Sequence, residues 1–421
     1  MNIWYLNHYA VPPGYGGTPG RPYYLAKNLQ LHGHNIVIIC ASYQRSRFKP
    51  GKPSELNRCV SFRGINYYQL PARLYKGNGL GRLLNMNDYA KGVGKLAEAV
   101  KKSKLPHPDL LIPSCVHPFV FPPALKLSKK FSAKLIYEVR DIWPLSLVEL
   151  SGVPPWHPLI IWMSRIEKQA YRNADSVVSL LPKAFQHMES VGLIKEKFQY
   201  IPNGIDRQEW KEDPEPFLKE YQELFDRLKK QGKFIIIYTG AHGVPNALDQ
   251  LIDLKKINNN NAFYHFVLIG DGTEKDKIMK VSEVEKLSFI TFLPRISKKQ
   301  VIKALQLSDC CFFALREAPI FKFGISPNKI GDYLMAGKPV ISALVAGNNP
   351  AQEADAGITV QPYSPNELHL ALKKLYEMSP AERQAMGERG KTYALRKLDW
   401  SVLGRAYADI CESLLHTPAL R

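Results

Sequence analysis

Both halves of this 421-residue chain repeat one pattern: a short apolar run, a glycine-bearing turn, then apolar residues at helical spacing. In the first half "NIWYLNHY" leads through "AVPPGYGGTPG" into "RPYYLAKNLQLHG" and on to "NIVIICAS", which makes a βαβ unit of ordinary length. Pro22 suits a first helical turn and Gly33 a helix end. "PDLLIPS", "AKLIYEVRD", "DSVVSLL" and "FQYIPNG" read as further strands, with "PLIIWMSRIEKQAYRNA" as a helix among them. "FIIIYTGAHG" opens a second series, continued by strands in "FYHFVLIGDG", "SFITFLPR", "CCFFAL", "KPVISAL" and "GITV". Short, unalternating apolar strands separated by helices specify parallel sheets covered on both faces. The expectation is an α/β chain of two doubly wound parallel-sheet domains facing a cleft, at 1–205 and 234–395. The highly charged 206–233 reads as a helical connector, and the amphipathic 396–421 as a helix crossing back to the first domain. Two domains also suit a length beyond one typical core.

Composition is globular, with 45% hydrophobic and 23% charged residues. No run of 18 apolar residues predicts a transmembrane helix, and "MNIWYLNHYA" lacks the basic and apolar regions of a secretory signal. The six cysteines show no CxxC spacing, so buried thiols in a reducing compartment are expected rather than disulfides or a metal site. The net charge of +19 is uneven: residues 1–130 hold 19 basic and 4 acidic side chains. So basic a first half suggests an anionic partner, whether phospholipid head groups, a pyrophosphate-bearing lipid or nucleic acid. No nucleic-acid-binding motif supports the last.

Ligands of doubly wound sheets sit outside the carboxyl ends of the strands, and the cleft between two such domains is the default site. Candidates are therefore strand-end residues. Gly16 and Gly17, ahead of Arg21, form a loop that can offer backbone N–H groups to a phosphate, or a simple turn. Pro19 excludes GxGxxG from Gly14, and no GK[ST] follows. His117 in "SCVHPF" is a hydrogen-bond donor to a sugar or a turn residue; Arg140 and Asp141, after Glu138 in "YEVRDIWP", are cleft charges or a loop-fixing pair. "IPNGID" reads as a structural connection. Gly240, His242 and Gly243 make a second Gly turn, Asp271 lies in "LIGDG" and Arg295 ends "FLPR".

"FGISPNKIGDYLMAGKPVIS" is the most pointed stretch. Gly324, Ile325, Ser326, Pro327 and Asn328 precede Lys329 and Asp332 at a helix mouth. Ser326 and Asn328 can act as N-caps, free N–H groups there bind an anion, and Lys329 adds positive charge. Asp332 is an acceptor-only carboxylate suited to vicinal ribose hydroxyls. The plainer alternative is a Lys–Asp surface pair worth roughly 0.2–0.5 kcal/mol.

Taken together, "FGISPNKIGDYLMAGKPVI", "GGTPGRPYYLAKNLQLHGHNIVII", "EVRDIWP", "IEKQAYRNADSVVSLL", "IPNGID", "YTGAHG" and "LIGDG" resemble, in order, the family 4 retaining glycosyltransferases of the GT-B fold. They are most similar to the bacterial surface-polysaccharide branch that contains fucosamine transferases. The resemblance implies two Rossmann-like domains and a nucleoside-diphosphate-sugar donor, UDP-linked, held mainly by the second. It also implies retention of configuration, no metal and no cofactor beyond the donor. Asp332 stands where the family has the second Glu of Glu-x7-Glu; Gly324 stands at the first, and Glu317 is not a clear substitute. The loop "GAHGVPNALD" lacks the Arg and Lys that the family often places there, so Lys329 and Arg295 are left to meet the diphosphate. The first domain would take a lipid-linked or glycan acceptor. Its basic stretches "RSRFKPGK" and "PARLYKGNGLGRLL" would hold the enzyme peripherally at the inner face of a bacterial plasma membrane, in the cytoplasm. A nucleotide-sugar 2-epimerase of the same fold is the alternative.

Overall fold

The structure is a computed structural model that describes residues 1–12, 19–43, 56–77, 79–211, 215–258 and 262–416. It divides into two compact units, one built from Met1–Pro202 together with the chain end from Trp400, the other from Asn203–Asp399.

The first unit carries an eight-stranded sheet: β1 (Asn2–Leu6), β2 (Asn35–Ala41), β3 (Cys59–Phe62), β4 (Ile65–Leu70), β5 (Leu110–Cys115), β6 (Lys134–Val139), β7 (Ser176–Ser179) and β8 (Phe198–Tyr200). The order is β3-β4-β2-β1-β5-β6-β7-β8, and only β3 runs antiparallel to its neighbour. In β1, Ile3, Trp4, Tyr5 and Leu6 are all fully buried, because the strand is central and helices cover both faces; this is why its sequence does not alternate. Register pairs Ile3 with Ile36 on one side and Leu110 on the other. The helices are α1 (Arg21–Leu31), α2 (Leu80–Gly94), α3 (Leu96–Lys101), α4 (Phe121–Phe131), α5 (Leu145–Ser151), α6 (Pro158–Asn173) and α7 (Phe185–Val191).

The second unit has six parallel strands: β9 (Phe234–Thr239), β10 (Tyr264–Ile269), β11 (Ile290–Leu293), β12 (Cys310–Ala314), β13 (Val340–Ala343) and β14 (Gly357–Val360), ordered β11-β10-β9-β12-β13-β14. Its helices are α8 (Lys219–Lys230), α9 (Lys255–Asn258), α10 (Lys275–Val284), α11 (Lys298–Leu307), α12 (Asn328–Met335), α13 (Pro350–Glu353), α14 (Pro365–Glu377) and α15 (Pro380–Tyr393).

The segment 206–233 is not a free-standing connector. Helix α8 belongs to the second unit, where Tyr221, Leu224, Phe225 and Leu228 are buried in a core shared with Ile235 and Ile237. Spacing of i, i+3, i+4 and i+7 makes that apolar stripe, and the charged residues around it occupy the solvent face. The last helix, α16 (Trp400–His416), packs on α1 within the first unit: Trp400, Leu403, Tyr407 and Cys411 share a core with Leu25 and Leu29. Gly404 permits the close crossing, since a Cβ there would lie 2.3 Å from Asn28 Cβ. All six cysteines are free thiols, and all but Cys59 are buried.

Candidate active site

In the second sheet the strand order reverses at β9, which has β10 on one side and β12 on the other. Carboxyl ends flanking such a switch point are where doubly wound sheets bind ligands. Two strand-end loops meet there backbone to backbone. A Cβ on Gly270 would lie 1.8 Å from Gly240 O, and one on Gly272 would lie 2.2 Å from His242 O. Gly240 and Gly270 also hold φ of +140° and +149°, which side-chain-bearing residues rarely adopt. Reciprocal bonds fix the contact: His242 N donates to Asp271 O at 2.9 Å, and Glu274 N to His242 O at 2.9 Å.

The mouth of α12 is anchored to this end of β9. Tyr333 Oη accepts from Thr239 N at 2.8 Å. Lys329 Nζ donates to Tyr238 Oη at 2.6 Å and Asn246 Oδ1 at 2.8 Å, and lies 4.2 Å from the Tyr238 ring centroid. Tyr238 Oη in turn donates to Ala241 O at 2.6 Å. These partners are all neutral, and burial pushes the Lys329 ammonium down to about 7. A Cβ on Gly240 would meet Lys329 Nζ at 3.1 Å, so the glycine keeps the amine beneath the loop backbone. His242 is fully buried beside Tyr238, its two ring nitrogens without hydrogen-bond partners among the described residues. Burial and the nearby Lys275 lower it to about 4, so the ring is neutral at neutral pH.

The turn ahead of α12 is built differently from the sequence expectation. Pro327 is the N-cap, and neither Ser326 nor Asn328 caps the helix with its side chain. Instead Ser326 Oγ accepts from Asn203 N at 2.8 Å, and Ser326 O from Asn203 Nδ2 at 2.6 Å. "IPNGID" therefore holds the helix mouth, and Ile205 seals against Gly331, where a Cβ would meet Ile205 Cγ2 at 2.5 Å. Ile325 is buried, with Asn348 bonded to both its N–H and its carbonyl. Gly324 sits at φ +109°. This is a physical reason for glycine where the resemblance has glutamate: Gly324→Glu is expected to cost about 1–3 kcal/mol in strain, read by chemical denaturation, and to leave activity no higher than in the parent.

Asp332, expected to meet ribose, forms an ion pair with Lys298 Nζ from α11. Asp271 is exposed, with Lys275 Nζ 3.4 Å from its carboxylate, and Arg295 is exposed beyond the end of β11. Gly243 precedes the short helical turn that brings Asn246 to Lys329. The candidates of the second unit thus gather around Lys329 at the β9 end, except Arg295, which follows the edge strand.

In the first unit Arg21 is drawn into the core. It is 3% exposed and committed to Glu138 Oε2 at 2.9 Å and Pro202 O at 2.6 Å, its guanidinium 5.6 Å from the Trp400 ring centroid. The guanidinium ties α1, β6 and the chain end together, while its Nη2 is buried without a hydrogen-bond partner among the described residues. Glu138 also accepts from Tyr5 Oη and, at 2.8 Å, from Ser114 Oγ. Burial alone would raise this carboxyl, but Arg21 and these hydrogen bonds outweigh it and leave it below the usual carboxylate range. His117 is also buried, at the carboxyl end of β5; its Nε2 lies 2.8 Å from His8 Nδ1, and burial keeps it far below the usual imidazole range. Arg140 is half-buried and Asp141 exposed. Gly16, Gly17 and the stretch "RSRFKPGK" lie outside the described residues. Sequence reasoning missed Tyr238, Asn246, Asn203, Lys298 and His8, because nothing local marks a side chain whose role is to hold another.

Two family models match the chain. Residues 15–209 fit the one described as Glycosyltransferase Family 4, and residues 233–378 the one described as Glycosyl transferases group 1. Among solved structures, sucrose-phosphate synthase from Thermosynechococcus elongatus matches with a TM-score of 0.73 and 15% identity over 99% of both chains. HepE of Anabaena, in complex with UDP and glucose, matches at 0.67 and 16% over 98% of this chain and 100% of that one. WaaG, a glycosyltransferase involved in lipopolysaccharide biosynthesis, matches at 0.66 and 14% over 98% and 99%. At such identities the likeness is one of fold. A comparison with curated proteins gave no match.

Proposed function

We propose, from the premise that this chain is a glycosyltransferase of the GT-B fold with a family domain in each half, that it moves a sugar from a nucleoside-diphosphate donor to an acceptor hydroxyl. The reading is of a retaining enzyme with a UDP-linked donor and a lipid-linked or polysaccharide acceptor, acting in bacterial surface-glycan assembly. Lys329 is the observation that carries it: a half-buried amine whose partners among the described residues are all neutral, set at the uncapped mouth of α12 at the switch point of the sheet. A buried cation without an anion is costly, and a ligand diphosphate would supply the missing charge. The free N–H groups of the helix mouth add to the same field.

In the proposed reaction the bond between the anomeric carbon and the phosphate oxygen breaks, and the oxygen leaves with the electron pair. The acceptor hydroxyl attacks the same face of the sugar, and its proton passes to the departing phosphate. Negative charge grows on the leaving diphosphate, where Lys329 and the helix N–H groups stabilise it most in the transition state. That HepE was solved with UDP and glucose supports a UDP-linked donor. Among the described residues no helix is long and apolar enough to cross a membrane. The basic first 130 residues support peripheral attachment to an anionic membrane surface on the cytoplasmic side, and the description of WaaG as involved in lipopolysaccharide biosynthesis supports a role in surface-glycan assembly.

A thermal-shift panel of UDP, GDP, dTDP and their sugars tests the reading. One nucleotide series is expected to stabilise the protein with concentration, and the cognate sugar to be transferred rather than epimerised. A flat panel, or an epimer formed from donor alone, would sink it.

A further inference from the structure

Where α5 turns into α6, the first unit leaves apolar side chains in solvent. Four of the seven residues of α5 are apolar, Leu145, Leu147, Val148 and Leu150, and none of the helix is buried. The turn "GVPPWHP" then holds Trp156 outward, 76% exposed. Pro154, Pro155 and Pro158 restrict this turn, and His157 closes it by accepting from Leu159 N at 3.2 Å at the start of α6. Trp162 is 50% exposed, and it stacks on Phe119 with ring centroids 4.6 Å apart, so its ring is held in place. Ile161 beside it is exposed as well.

The charge beside these rings has one sign. At about 100° per residue, Ile161, Trp162, Arg165, Lys168 and Arg172 fall within roughly 120° of one face of α6, and all five are exposed. The single carboxylate of α6, Glu167, is buried and bonded to Tyr171 and His187. Helix α4 packs beside α6, contains no acidic residue and adds exposed Lys126, Lys129 and Lys130. The one carboxylate of α5, Glu149, is half-buried with Oε2 turned inward.

Fixed indole rings bordered by basic side chains match the surface of an anionic bilayer, where indoles settle at head-group depth and Lys or Arg reach phosphates. A second copy of the chain fits worse. A two-fold interface sets a face against itself, which would bring the six cations of each copy together with no exposed carboxylate on α4 or α6 to meet them. We infer that the α5–α6 turn and the outer faces of α4 and α6 form an insertion surface for anionic phospholipid, with Trp156, Ile161 and Trp162 entering the head-group layer. The inference rests on the membrane attachment proposed above and deepens it, giving that attachment an apolar anchor outside the basic first 130 residues.

Sedimentation of the full chain with vesicles tests it. Wild type is expected to bind mixed phosphatidylglycerol–phosphatidylcholine vesicles at least about tenfold more tightly than phosphatidylcholine alone, and brominated acyl chains are expected to quench its tryptophan fluorescence. Trp156→Ser/Ile161→Ser and Lys129→Glu/Arg165→Glu are each expected to weaken binding to the anionic vesicles by at least about tenfold, with melting temperature and UDP-induced shift as in wild type. Wild-type binding that both variants retain overturns the inference and leaves attachment to the basic residues of 1–130. Binding without quenching overturns insertion. A wild-type dimer that Trp156→Ser/Ile161→Ser makes monomeric, with no vesicle binding, assigns the face to a second copy and overturns it too. Failure of wild type to bind either vesicle removes the attachment and this face together. Vesicle binding lost in both variants beside a flat nucleotide panel supports the face while removing the donor reading.

Discussion

Lys329→Met is expected to cut sugar transfer by about 10²–10³-fold and to abolish stabilisation by UDP, while making the ligand-free protein more stable at pH 7. The two effects have one cause. Folding removes the amine from water without giving it a counter-charge, so its pKa falls from 10.5 to about 7. Between those values the unfolded chain holds a proton that the folded chain does not. Stability of the wild type therefore rises with pH from about 7 to 10.5, and below that window the full penalty applies. The slope is at most ~1.4 kcal/mol per pH unit, and the methionine variant should lack it. Leaving Tyr238 Oη and Asn246 Oδ1 without their donor offsets part of the gain, by roughly 1–3 kcal/mol. A bound diphosphate reverses the situation: it favours the ammonium, so UDP binding takes up a proton and weakens as pH rises above about 7. Melting curves from pH 6 to 10, with and without UDP, read all of this. Undiminished transfer by the variant, or a variant that melts lower at every pH, would remove Lys329 from the role given it.

Much of the fold could be read because the strands are buried on both faces. β1, β2, β9, β10 and β12 are continuous apolar runs, each followed by a turn, and the structure places each in a parallel sheet. The hairpin of β3 and β4 escaped notice because "CVSF" is a short, half-exposed edge strand and "INYYQL", although buried beside it, mixes polar and aromatic residues. In 206–233 the charge density concealed a four-residue apolar stripe that periodicity should have shown. At the candidate site, glycine spacing and the position of Lys329 were visible, since turn chemistry and helix starts are local. The partners were not. Nothing near Asn203 in the sequence indicates that it grips Ser326, and nothing near Asp332 indicates Lys298, 34 residues away. Whether a strand-end charge faces a ligand or locks a core depends on such long-range pairings, and "EVRD" shows the cost of not having them.

Of that stretch, Glu138 had seemed one of several charges available to a cleft, yet replacing it with alanine is expected to destabilise the first unit by about 3–5 kcal/mol. The reason is the residue left behind. Arg21 is buried with Glu138 as its one ion-pair partner among the described residues, and its charge cannot be shed at any accessible pH. Tyr5 and Ser114 lose their acceptor in the same change. Because the guanidinium also reaches Pro202 O and lies over Trp400, the loss should loosen α1, β6 and α16 together. Replacing both partners, as Arg21→Met with Glu138→Leu, should cost much less than the single change, since no charge then remains buried. The pH dependence has the opposite sign to that of Lys329. A carboxyl held below 4.5 in the fold contributes stability that is present above that value and is lost as pH falls through its folded pKa. Wild type should show this acid-side loss and Glu138→Ala should not. Urea unfolding of the three proteins at pH 7 and pH 4 decides the matter: a single variant as stable as wild type, or a double variant worse than the single, would show that the pair does not hold these elements together.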